Sequence, residues 1–155
     1  MLARILSFNV NDHKFKVMPF QLNVGRDGLS CALIPNTNKI MITGGYSDYG
    51  YLDSAEVLDT KDGSVTMASP MTSKRYGHGI GVVTINGENK LAVYGGYDGK
   101  NYLNSVEFYN TKIEKWEKTY LKLSEAKHWF GSLTIKLEDI LSQLQLSYKI
   151  LEIHR

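Results

Sequence analysis

The chain has 155 residues, enough for one sizeable core, with 43% hydrophobic and 22% charged side chains, which excludes a disordered polar chain. Eighteen basic and sixteen acidic residues leave a formal net charge of +2, too slight to draw nucleic acid or an anionic membrane surface. No apolar run reaches the roughly 18 residues of a membrane span, and the single cysteine, Cys31, favours a reducing, cytoplasmic setting.

The amino-terminal stretch Met1–Phe8 is broken by Arg4 and is too short for a signal sequence. Residues 1–20 are expected to hold the closing strand of a preceding repeat, because Phe8-Asn-Val-Asn-Asp-His-Lys-Phe15 has the spacing of Tyr109-Asn-Thr-Lys-Ile-Glu-Lys-Trp116. The first full unit, residues 21–70, reads as four strands: a, Leu29 to Ile34; b, Lys39 to Thr43; c, Ala55 to Leu58; d, Ser64 to Met67. The second, residues 71–122, places them at Gly79 to Ile85, Lys90 to Tyr94, Ser105 to Tyr109 and Lys115 to Thr119, with a hairpin turn at Asn86-Gly87. Residues 123–136 look like the opening strand of another unit.

The repeat is close. Lys39-Ile-Met-Ile-Thr-Gly-Gly-Tyr46 returns 51 residues later as Lys90-Leu-Ala-Val-Tyr-Gly-Gly-Tyr97, and Arg26, Arg75 and Lys127 open successive units. A period near 50 residues with four short strands each is the arithmetic of a propeller blade. Residues 137–155 depart from it. Leu137, Ile140, Leu141, Leu144, Tyr148 and Leu151 fit a helical stripe, whereas Leu144, Leu146, Tyr148 and Ile150 alternate as a strand would. A helix from Glu138 to about Ser147 is the favoured reading of this tail.

The Gly-Gly doublets, the spaced Tyr/Leu–Asp/Asn pairs, the closing Trp116 and the Arg75-x-x-His-Gly opening resemble kelch repeats over about residues 8–136. Two departures stand out: Val65 replaces the usual tryptophan, and Leu29 stands where His78 does, so thinner packing is expected there. The resemblance implies an all-β fold, an incomplete kelch β-propeller of two full four-stranded blades plus flanking strands. It also implies a non-enzymatic protein-interaction module, employed in the family as a substrate receptor of cullin-type ubiquitin ligases or as an actin or scaffold binder. The usual BTB module has no counterpart in this sequence, and a protomer of so few blades could self-associate through open blade edges or represent a partial gene product.

Candidate chemistry is sparse. His13, His78, His128 and His154 lack metal-ligand spacing, no nucleophile elbow or phosphate loop is present, and neither cofactor nor catalytic residue is assigned. A kelch-propeller enzyme, such as a sugar oxidase or sialic-acid epimerase, is the minor alternative. Glu56 and Glu107 recur at one position and read as polar anchors, with Arg75 as a possible ionic partner. Recognition is better supported. The b–c and d–a loops share one face of a blade and supply Tyr49, Tyr51, Lys100, Tyr102, Arg75, Tyr76 and Trp129 as candidate partner-binding residues, a rim suited to an acidic or phosphorylated peptide. Tyr46 and Tyr97, beside the doublets, are expected to be structural.

Overall fold

A computed structural model describes residues 3–132. Within them the chain is entirely β, with no helix. Residues expected to close a preceding repeat give two strands, β1 (Arg4–Asn9) and β2 (Lys14–Gln21), paired as an antiparallel hairpin. The first four-stranded sheet follows, with β3 (Ser30–Leu33), β4 (Lys39–Thr43), β7 (Ala55–Asp59) and β8 (Val65–Ala68) in that spatial order. Its β4–β7 loop carries a miniature hairpin of β5 (Tyr46–Ser47) and β6 (Gly50–Tyr51). The second sheet repeats the arrangement with β9 (Gly79–Ile85), β10 (Glu88–Tyr94), β11 (Ser105–Asn110) and β12 (Lys115–Lys122). The expected tail helix lies outside the described residues.

Each strand follows from its local chemistry. Leu91, Ala92 and Val93 are all buried, so β10 has protein on both faces and needs no polar alternation. Asn86 and Gly87 both take positive φ, 53° and 78°, as a two-residue turn between right-twisted strands requires.

Two cores stack the sheets. Between the first and second sheets, Ile34, Met41 and Ala55 meet Leu91, Val93, Tyr109 and Trp116, with Met71 completing a cluster of eight buried residues. Between the hairpin and the first sheet only Leu22, Ile42 and Leu58 are buried, with Ile5, Phe20 and Val65 packed around them. Val65 sits at the position of Trp116 one repeat earlier, and the smaller side chain accounts for the thinner layer.

Candidate protein-interaction face

The loops leaving the inner ends of the strands are fixed by two buried ion pairs, one per repeat. Arg75 Nη2 donates to Glu107 Oε1 at 2.9 Å, and its Nη1 donates to the carbonyls of Gly95 at 2.7 Å and Ser105 at 3.2 Å. One repeat earlier, Arg26 Nη2 donates to Glu56 Oε1 at 2.6 Å and Nη1 to the carbonyls of Gly44 and Ser54. Each carboxylate also accepts from the preceding loop, Glu107 from the Thr72 amide at 2.7 Å and Glu56 from the Asn23 amide at 2.6 Å. Burial pulls the Arg75 guanidinium below its ordinary range, and the charge of Glu107 opposes that shift.

The Gly-Gly doublets let neighbouring repeats touch through the main chain. Gly45 donates its N–H to the carbonyl of Arg75, and Gly96 to that of Lys127, both at 2.8 Å. A Cβ on Gly44 would lie 2.3 Å from the Arg75 carbonyl oxygen, so no side chain fits. Further in, a run of amides crosses the repeats: Gly77 donates to the Gly28 carbonyl at 2.9 Å, and Trp129 to the Gly77 carbonyl at 2.8 Å.

His78 is buried beside this seam. Thr43 Oγ1 donates to the Ser30 carbonyl and accepts from His78 Nε2 at 2.8 Å, while Nδ1 has no partner. Desolvation, then the nearby positive charge of Arg75, lower its pKa to about 3, so the ring is neutral near pH 7. It is a packed, hydrogen-bonded residue, as its position suggested.

On this frame the loop aromatics join. Tyr51 packs edge-on against Tyr46, Tyr76 and Tyr97 at 4.9, 5.7 and 5.4 Å between ring centroids. Tyr76 continues to Trp129 at 5.0 Å, Tyr97 to Tyr102 at 5.2 Å, and Tyr102 stacks on His128 at 4.5 Å. The b–c loops of both sheets and the two following d–a loops therefore form one connected aromatic surface. Asp98 stiffens it by accepting the Lys100 and Asn101 amides, each at 2.7 Å, and those bonds lower its pKa. In the other loop the Ser47 hydroxyl accepts the Tyr49 amide at 3.1 Å.

The candidate residues separate on this geometry. Tyr51, Tyr76, Tyr102 and Trp129 belong to the ring network, Trp129 being 61% and Tyr102 57% exposed. Tyr49, 98% exposed at the tip of β5–β6, and Lys100, exposed on the neighbouring loop, stand at its margin. Arg75 does not belong to the surface. Its guanidinium is sealed between Glu107 and three main- and side-chain oxygens of the second sheet and offers nothing to a partner. Three members of the network were not among the candidate residues: His128, which occupies the repeat position of Tyr76, and Tyr46 and Tyr97, expected to be structural. Tyr46 touches Tyr51 and Tyr76, and Tyr97 touches Tyr51, Tyr102 and His128. The Arg26–Glu56 pair was also legible, since Arg26 precedes Arg75 by 49 residues and Glu56 precedes Glu107 by 51.

The kelch motif model matches residues 30–72 and 75–119, together more than half of the chain and spanning the two four-stranded sheets. The chain belongs to the kelch family. None of the curated proteins compared with it matches. The kelch assignment agrees with the repeated features just described: paired glycines at close main-chain approaches and a buried arginine–glutamate pair in each repeat. Kelch repeats generally serve protein–protein interaction. Among the described residues, no group of three histidine, cysteine, aspartate or glutamate side chains is placed to hold a metal ion, and no helix is long and apolar enough to cross a membrane.

Proposed function

We propose that this chain is a non-enzymatic kelch interaction module that captures a protein partner on the Tyr51–Tyr76–Tyr97–Tyr102–Trp129 surface. One observation carries the reading: seven rings from four separate loops form a continuous, partly exposed network held by buried pairs beneath it. Rigid aromatics lose little conformational entropy on binding and dominate hot spots. With Arg75 withdrawn and Lys127 paired with Glu125 at 2.7 Å, the exposed lysines of these loops are Lys74 and Lys100, and Lys100 lies beside the Asp98 carboxylate, which accepts its amide. That balance favours aromatic contact over recognition of a strongly acidic peptide.

The cellular employment in keeping with this reading is cytoplasmic, as a substrate-recognition element of a cullin-type ligase or an actin or scaffold binder acting with other chains. Quantitative affinity capture with the wild type, the combined Tyr49→Ala, Tyr51→Ala, Tyr102→Ala variant and a Lys112→Ala control on the opposite loop ends tests it. Partners retained by the control and lost by the triple variant support the proposal. An unchanged partner set with the triple variant would defeat it.

A further inference from the structure

The two faces of the β1–β2 hairpin differ in their surroundings. Ile5, Phe20 and Leu22 on one side pack on the first sheet, whereas Leu6, Phe8, Phe15 and Val17 on the other are exposed. The hairpin repeats β11–β12 at an offset of 101 residues. The chain bulges between Arg4 and Leu6 as it does between Ser105 and Glu107, and His13 and Glu114 turn the corners with φ of 54° and 53°. That offset superimposes Phe8 and Phe15 on Tyr109 and Trp116. The ring pairs are alike, with centroids 4.9 and 5.1 Å apart.

Their burial is opposite. Tyr109 and Trp116 are each 6% exposed because the far face of the first sheet, with Met41, Ala55 and Val57, lies on them. Phe8 and Phe15 are 48% and 73% exposed. One 51-residue step moves Met41, Ala55 and Val57 to Ala92, Val106 and Phe108 on the far face of the second sheet, where Val106 and Phe108 remain part-exposed. Among the described residues, one side of the stack therefore displays a ring pair on which no sheet lies. The other displays a sheet of the receiving kind.

We infer that a second copy of this chain stacks head-to-tail on the first, the Val106–Phe108 face of one copy receiving Phe8 and Phe15 of the next. The contact continues the sheet-to-sheet packing already present inside the chain, and being heterologous it leaves each copy a free surface for another. Leu6 and Val17 enlarge the apolar patch beyond what isolated exposed residues provide.

Light scattering after size-exclusion chromatography, over a concentration series, reads the result. The wild type should rise from monomer mass to double or more with concentration. A Phe8→Glu, Phe15→Glu chain and a Phe108→Glu chain should each stay monomeric, yet an equimolar mixture should recover a dimer, because each retains the face that the other lost. Circular dichroism checks folding, and Val106→Lys replaces Phe108→Glu if the latter does not fold. A wild type that stays monomeric, variants that still associate, or a mixture that recovers nothing would each overturn the proposal.

Discussion

Trp129 occupies, with φ of 52°, the place that Gly77 fills one repeat earlier with φ of 60°. Both backbones are left-handed, but only glycine is at ease there, and a bulky residue in that region costs about 1–3 kcal/mol. This backbone places the indole edge-on to Tyr76 and over Gly77, on the surface where partners are proposed to bind. Trp129→Gly should leave the melting temperature within a few degrees, since relief of strain offsets the lost aromatic contact. Partner affinity should fall about 30-fold, the effect of removing one hot-spot ring worth about 2 kcal/mol. Isothermal titration beside thermal melting separates the two.

Arg75 and Glu107 form a buried pair in which each charge depends on the other. Glu107→Gln leaves a buried guanidinium without its counter-charge and should cost about 3–5 kcal/mol in chemical unfolding, with Glu56→Gln costing a similar amount through Arg26. Because these pairs fix the loops that carry the rings, partner affinity should fall together with stability in both variants. An unchanged unfolding midpoint for Glu107→Gln would show that the pair does not hold them.

His78 makes stability depend on pH. Its folded pKa, about 3, lies below the ordinary 6.5, so the unfolded chain takes up the proton first as pH falls. Its contribution is therefore complete above about pH 6.5 and is lost progressively down to about pH 3. Between about pH 7.5 and pH 5 the wild type should lose about 2 kcal/mol more than His78→Leu, which installs the residue found at Leu29 in the preceding repeat. Urea titrations at the two pH values measure the difference.

Trp116 and Phe15 share a repeat position in different surroundings. Trp116→Ala should cost about 3–5 kcal/mol because it empties part of the larger core. Phe15→Ala, measured at concentrations low enough to keep the chain monomeric, should cost less than about 1 kcal/mol, since its ring is mostly in water. Equal losses would mean that the exposed face of the hairpin is covered within a single chain.

Much of the fold was legible because repetition amplifies a weak signal. Lys39 to Thr43 was bounded as the structure has it, and Gly79 to Ile85 likewise, since turn chemistry brackets each apolar run. β12 runs on to Lys122, beyond the expected Thr119, because antiparallel pairing past the bulge joins Lys122 to Ser105 without any apolar pattern. The β5–β6 hairpin left no trace in periodicity, because two residues per strand cannot show one. The site was half legible. Tyrosines in loops announced an aromatic surface, but whether a cation such as Arg75 lies on it or under it depends on a carboxylate 32 residues away.

The succession of amides from Trp129 to Gly77 and from Gly77 to Gly28 involves no side-chain hydrogen-bonding group. Register around the centre is thus insulated from most substitutions, and the tips at Tyr49 and Lys100 are free to diverge or lengthen without disturbing it. A lineage could re-target this protein by rewriting a few tip residues while the spokes keep their alignment.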